Sequence, residues 1–256
     1  MCGRLVITAP AQQLATAFDA GLHPSTQGLR PSWNVAPTRP VPALLPSGGG
    51  RVLVAAHWGF RAPWVRTAKH RPQPINARAD KLTDRMFAVG FDFARVVLPV
   101  DGFYEWRTSC GAMKIPYFVH HADGERLILA AIASSWHDPT QPDTDPLLTV
   151  AIVTTDAGRQ MRDLHDRQPV MLSAAEVDLW LDATSSRDEL LRLTPPGDNV
   201  PLAVRQVSSD VNNVRNDHSE LLTTSRFAAA RTAASSVGVG QRSSPGPGQL
   251  RLRFEP

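Results

Sequence analysis

Cysteine is nearly absent from this 256-residue chain, which holds only Cys2 and Cys110. Two cysteines cannot build a disulfide framework, and no Cys-x-x-Cys knuckle offers a metal site. A Cys2–Cys110 bridge would need an oxidising compartment. The N-terminus has neither the basic region nor the unbroken apolar run of an export signal, so a cytoplasmic location is expected. Long apolar runs are missing too, and no stretch approaches the roughly 18 residues that a membrane span requires. Lysine is scarce: Lys69, Lys81 and Lys114 are the only ones among 27 basic residues, so arginine carries the positive charge. The net charge of +3 and pI near 9.2 are compatible with a polyanionic partner without requiring one. There is no internal repeat.

What is present suffices for one substantial core, since 42% of residues are apolar. Residues 4–8 pattern as a short strand, and Pro10 to Ala20 has helical spacing that ends at Gly21. The Pro- and Gly-rich stretch from Pro24 to Gly50 predicts irregular backbone over Arg30–Thr38. Ser47-Gly48-Gly49-Gly50 predicts a turn joining Val41–Leu45 to Val52–Trp58. Further strands are expected at Arg95–Val100, Tyr117–Val119, Leu127–Ala133 and Leu147–Thr154. Helices are expected at Lys81–Val89, Gly158–Arg162, Ala174–Leu181 and Arg187–Arg192, with Ser173 and Glu176 forming a capping box. Many strands with short helices and no regular β-α alternation predict an α+β fold with a mixed, barrel-like sheet and short flanking helices. Composition changes after Phe227. Residues 228–256 are basic and rich in Ala, Ser, Gly and Pro, and bury too little apolar surface to offset their ordering entropy, so a domain over 2–227 with a disordered tail is expected.

Chemistry is concentrated at the N-terminus. Met1 precedes a small residue, the usual setting for removal of the initiator, which would leave Cys2 with a thiol and an α-amine on adjacent carbons. An ordinary terminal amine has a pKa of about 7.7–8.0 and is partly neutral at neutral pH. The thiol is a strong nucleophile. Together they can capture an aldehyde: the amine forms a Schiff base and the sulfur closes a thiazolidine. They equally suit acyl transfer, with the amine as the base.

Three more segments carry polar groups. Asn76 in Pro74–Asp80 reads either as a helix cap or as an amide orienting a reacting group, with Arg78 as a bidentate phosphate ligand. Glu105 lies between Tyr104 and Trp106, where burial would disfavour its charged form, as a general acid requires; a surface position is the alternative. His165 titrates near neutrality beside Arg167 and Pro169. His57, His70, His120, His121, His137 and His218 read as structural, and His120-His121 lacks a third ligand, so no metal and no cofactor are expected.

Cys2-Gly3-Arg4, Trp33-Asn34-Val35-Ala36-Pro37-Thr38, Trp58-Gly59-Phe60 with Trp64, Asn76–Asp80, Asp101–Trp106, His165–Val170 and Trp180-Leu181-Asp182 occur in one order. In that order they resemble the SOS response-associated peptidase (SRAP) family over roughly residues 2–220, with Val207-Ser208 and Val211-Asn212 similar to its closing strand. The resemblance implies protection of abasic sites in single-stranded DNA by a covalent crosslink to Cys2, with DNA lyase and peptidase activities as companions. It assigns Asn76 to holding the cysteine and the sugar, Glu105 to acid–base transfer, and His165 to the sugar hydroxyl and elimination or reversal. Arg4, Arg78 and Arg167 would meet phosphates. Trp106, Trp64 and Trp33 would offer faces to unstacked bases, each worth about 1–3 kcal/mol. Asn34 and Pro40 would lie in a DNA-facing loop. A monomer is implied, binding single-stranded DNA with abasic sites, nucleoid-associated when bound, with replication-fork proteins as candidate partners and no membrane. Two departures stand out: Ala88 where relatives commonly place an arginine, leaving one phosphate contact absent or supplied by Arg85, and Asp80 for the commoner glutamate. A thiol peptidase using Cys2 and His165, and a non-covalent single-strand-binding module, are the competing readings.

Overall fold

The structure is a computed structural model, and it describes residues 2–66, 73–108, 113–141, 143–196 and 200–223. In chain order the elements are β1 (Leu5–Ile7), α1 (Ala11–Ala17), β2 (Ala20–Leu22), β3 (Ser32–Val35), β4 (Pro40–Ser47), β5 (Gly50–Trp58) and β6 (Asn76–Arg78). Then come α2 (Ala88–Phe93), β7 (Arg95–Val100), β8 (Gly102–Thr108), β9 (Lys114–His121), β10 (Leu127–Trp136) and β11 (Leu147–Asp156). β12 (Arg167–Pro169), α3 (Ala174–Leu181), α4 (Arg187–Arg192) and β13 (Leu202–Gln206) complete the set. The α+β expectation, with its mixed barrel-like sheet and short helices, holds.

The barrel follows from the pairings. β5 pairs with β4, β4 with β7, β7 with β10 and β10 with β11, all antiparallel; β11 then meets β5 in parallel, at Thr149↔His57 and Val150↔Trp58, and closes the ring. Closure removes the free edges that an open sheet would expose. Every residue of β7 is buried, because its outer face is covered by α2 and α3. Each such Val or Leu contributes about 1.5–3 kcal/mol by leaving water. The turn between β4 and β5 is the one expected, with Gly48 and Gly49 at φ 54° and 88°, the left-handed pair that a tight hairpin needs.

The second sheet runs β13-β9-β8-β1-β3. Its central pair, β8 and β9, continues the barrel pair β7 and β10 around a corner at Asp101. There Thr8 donates its backbone N–H and hydroxyl to Asp101 Oδ2 at 2.6 and 2.7 Å, and Arg126 lies 3.3 Å from Oδ1. Gly102 is required at the corner: a Cβ would sit 2.4 Å from Val119 O and 2.5 Å from the Phe118 ring. Val6, Tyr104, Phe118, Val207, Val211 and Leu221 form a small separate core on one face of this sheet.

Arg95 is buried, and its guanidinium bonds to backbone carbonyls. It donates to the carbonyls of Phe91 and Asp92 near the end of α2 and of Trp180 and Asp182 at the end of α3, at 2.6–3.0 Å. Those carbonyls carry the negative ends of the helix dipoles, so the cation compensates two helix C-termini at once.

Several expected elements differ. α3, α4 and the Ser173–Glu176 capping box stand where expected. Lys81–Val89 is not a helix: a 3-10 turn at Ala79–Lys81 leads to α2 further on. Leu82 and Phe87, which turn inward, are five apart, a spacing that no single helical face accommodates. Gly158–Arg162 is not a helix and lies in a run of turns. The stretch read as irregular contains β3, ordered by pairing with β1. Residues 20–22 are a strand beside β5 and not a helix end. The closing strand is β13, whereas Ser209–Asn212 is a 3-10 turn. The tail beyond residue 223 lies outside the described residues, as do Cys110 and His70. Among the described residues no helix is long and apolar enough to cross a membrane.

Candidate functional site

Three of the four residues singled out for chemistry converge. Cys2 leads into β1, which pairs with β8 at Leu5↔Phe103 and Val6↔Gly102; Tyr104 N–H then donates to Arg4 O at 2.9 Å. Continued one step, that register sets Gly3 beside Glu105. Asn76 opens β6, delivered by its parallel pairing with β11 at Ile152↔Asn76. Its Nδ2 donates to Cys2 O at 3.0 Å. Its Oδ1 is buried and has no hydrogen-bond partner among the described residues. The cap alternative for Asn76 does not hold, because the 3-10 turn starts three residues later and its cap is Arg78.

Cys2 is 0% exposed and Glu105 2%. Burial pushes the Cys2 thiol well above its ordinary value, the negative charge of Glu105 adds to the rise, and the Arg4 backbone N–H partly opposes it. Burial of Glu105 has a different origin from its aromatic neighbours in sequence. Side chains alternate along a strand, so Tyr104 and Trp106 pack into the small core while Phe103 and Glu105 face the Cys2 side.

His165 stands just before β12, on the opposite edge of β11 from β6. Its Nδ1 is 3.0 Å from the Arg167 N–H and 2.6 Å from Asp166 Oδ1. One ring nitrogen serves only one of these at a time. It accepts from Arg167 when the proton is on Nε2, and it donates to Asp166 when the proton is on Nδ1.

The residues read as DNA contacts divide into two groups. Trp64 (40% exposed), Pro40, Arg78 and Trp106 reach the surface. The Arg85 guanidinium lies 5.5 Å above the Trp64 ring, a cation–π contact. Arg78 donates both Nε and Nη2 to Asp80 at 2.8 and 2.9 Å, so the aspartate that departs from the family pattern holds the arginine's fork. Arg4 is half-buried and Asn34 and Arg167 are buried, and all three also make internal contacts. Arg4 Nη1 donates to Asn34 Oδ1 at 2.7 Å and to Val211 O at 2.8 Å. Asn34 is 4% exposed, and its Nδ2 points at the carbonyls of Val211, Asn213 and Asn216. Arg167 is buried, with Nη2 on Thr154 O at 3.0 Å and on the Thr154 hydroxyl. Burial lowers both arginines from their ordinary value. Trp33 is half-buried, its N–H on Asp217 at 2.6 Å and its carbonyl accepting from Tyr104 OH at 2.9 Å.

Sequence reasoning read Val207-Ser208 and Val211-Asn212 as strand; the segment 207–222 instead lies across the small core and supplies the carbonyls of Val211, Asn213 and Asn216 to which Asn34 donates. Its exposed Asn212 takes the Trp106 indole N–H on Oδ1 at 2.7 Å. No periodicity marks this segment, because its contacts are side chain to backbone and span about 180 residues of sequence. Among the described residues no group of three His, Cys, Asp or Glu is arranged to hold a metal.

A buried cysteine whose carbonyl is held by an asparagine beside a buried glutamate, at the junction of a barrel and a second sheet, defines the class. The chain belongs to the SOS response associated peptidase (SRAP) family, whose model matches residues 1–214. It is similar to the abasic site processing protein YoaM of Bacillus subtilis, 32% identical over 224 residues, covering 87% of this chain and 97% of the relative. The abasic site processing protein YedK of Escherichia coli is 32% identical over 194 residues, covering 74% and 83%. The abasic site processing protein HMCES of Gallus gallus is 30% identical over 264 residues, covering 87% and 77%. A crystal structure of a Bacteroides thetaiotaomicron protein shares the fold with a TM-score of 0.78 at 23% identity, covering 88% of this chain and all of that one.

Proposed function

We propose that this protein processes abasic sites in single-stranded DNA by bonding covalently to them through Cys2. The observation that carries the reading is the grip of Asn76 on Cys2 beside a buried Glu105. With Met1 removed, the neutral α-amine of Cys2 adds to the aldehyde carbon of the ring-opened deoxyribose and forms a carbinolamine. Glu105 protonates the departing hydroxyl, water leaves, and the nitrogen returns a proton to the Glu105 carboxylate, so an imine remains. The thiol then adds across the C=N bond: sulfur bonds to carbon and its proton passes to nitrogen, closing the thiazolidine. One water is released overall. Burial holds the thiol above its ordinary value, which favours the protonated form that adds across the C=N bond. The buried, unpartnered Oδ1 of Asn76 suits a donor on the incoming sugar or on the freed amine. His165 serves proton transfer at the sugar in elimination or reversal, and Trp64 and Trp106 receive unstacked bases. The relatives named abasic site processing proteins support the same substrate.

The test is incubation with a single-stranded oligonucleotide carrying one abasic site, followed by denaturing electrophoresis, with mass spectrometry of the protein's N-terminus. The reading requires a free Cys2 amine and a heat-stable adduct equal to protein plus DNA less one water. Retained Met1, or an adduct that survives Cys2→Ala at full yield, overturns it.

A further inference from the structure

We propose that Asn212 is a positioning residue that fixes the Trp106 ring as a stacking face beside the Cys2–Glu105 centre. Trp106 directly follows Glu105 on β8, one residue along the strand and with its ring on the opposite face from the Glu105 carboxyl, so a base resting on it flanks the reacting sugar from the neighbouring position. Its orientation is set from two sides. The indole N–H donates to Asn212 Oδ1 at 2.7 Å, and the Arg4 guanidinium lies 5.8 Å from the ring centroid. These two supports are tied together, because Arg4 also donates to the carbonyl of Val211, the residue before Asn212. The result is a closed triangle of Arg4, Trp106 and the Val211–Asn212 turn. Asn34 pins that turn from below through Val211 O and Asn213 O.

The Trp106–Asn212 bond is exposed, where water serves both groups nearly as well, so it adds little to folding stability. What it does is restrict the ring to one plane before a ligand arrives, which lowers the ordering cost of binding.

The inference takes its ligand, single-stranded DNA, from the function proposed above. Two measurements separate them. The first is binding to a single-stranded oligonucleotide with a tetrahydrofuran abasic analogue, which has no aldehyde to capture. The second is the single-turnover crosslinking rate at saturating concentrations of an authentic abasic oligonucleotide. Asn212→Ala weakens analogue binding about five-fold, the worth of one hydrogen bond, and leaves the saturated crosslinking rate and the melting temperature unchanged. Trp106→Phe keeps a ring and removes the N–H, so in that background Asn212→Ala has no further effect on binding. If the wild type neither binds nor crosslinks, the proposed function fails. If the wild type binds and Asn212→Ala binds equally well, or its effect adds fully to that of Trp106→Phe, the positioning role fails alone.

Discussion

In the barrel, strands are held by apolar side chains: Leu98, Val150 and Ile152 are fully buried, and β7 carries six buried residues in succession. In the sheet that carries Cys2, buried polar groups perform that task. Arg4, Asn34 and Tyr104 reach across to carbonyls of residues far away in sequence, and the apolar core beneath them is small. Hydrophobic contact is non-directional and tolerates sliding, whereas a hydrogen-bonded hub holds its partners to a few tenths of an ångström. The barrel thus supplies stability and the sheet supplies geometry. The reacting centre lies where they meet, with Cys2 and Glu105 from the sheet and Asn76 from a strand attached to the barrel.

That division can be broken at either side. The largest effect is expected at Cys2: Cys2→Ala abolishes the heat-stable DNA adduct entirely while the melting curve stays close to wild type, as read by gel and by circular dichroism. Leu98→Ala, in the barrel wall, leaves a cavity and costs about 2–5 kcal/mol in urea unfolding, with crosslinking per folded molecule unchanged. Asn34→Ala strands several buried carbonyls and costs about 1–3 kcal/mol. Unlike Leu98→Ala it loosens a defined segment, so limited proteolysis should cut within 207–222 before the barrel. Glu105→Gln slows single-turnover crosslinking ten-fold or more while analogue binding changes less than two-fold, because a proton-transfer role acts on the chemical step. Equal losses in rate and binding would make Glu105 a structural residue.

The smallest effect concerns pH. Burial, assisted by the positive charge of Arg61, lowers His57 from its ordinary value of 6.5, against a hydrogen bond to Gln73 that raises it. The folded state therefore favours the neutral ring. The stability this contributes is complete above pH 6.5 and declines as pH falls through 6.5 toward the folded value. Urea midpoints measured from pH 8 to pH 5 should fall less steeply for His57→Phe than for the wild type.

Local pattern made some elements legible. β7, α3, α4, the β4–β5 turn and the Ser173 capping box all rest on interactions within a few residues of sequence, or on continuous burial that shows as an apolar run. β3 was hidden because its order comes from β1, about 28 residues away, and the helix expected at Lys81–Val89 failed because two inward residues did not share a face. At the site, Cys2, Asn76 and Glu105 were legible as motif residues. The burial of Cys2 was not, and the burial expected for Glu105 has another cause, since its aromatic neighbours face the other way.

By itself the sequence determined residue chemistry and short-range form: an aminothiol candidate at Cys2, a scarcity of thiols elsewhere, positive charge carried by arginine, and strands in the right order. Tertiary structure alone decided which arginines reach solvent. Arg78 and Arg85 do, while Arg4 and Arg167 spend donors on internal carbonyls. It alone joined Asn34 and Trp106 to a segment some hundred residues or more further along the chain. The physical reason is one of range. Propensity and periodicity act over a turn or a strand, whereas a buried polar group takes whatever partner the fold brings within 3 Å, and no local rule names that partner in advance.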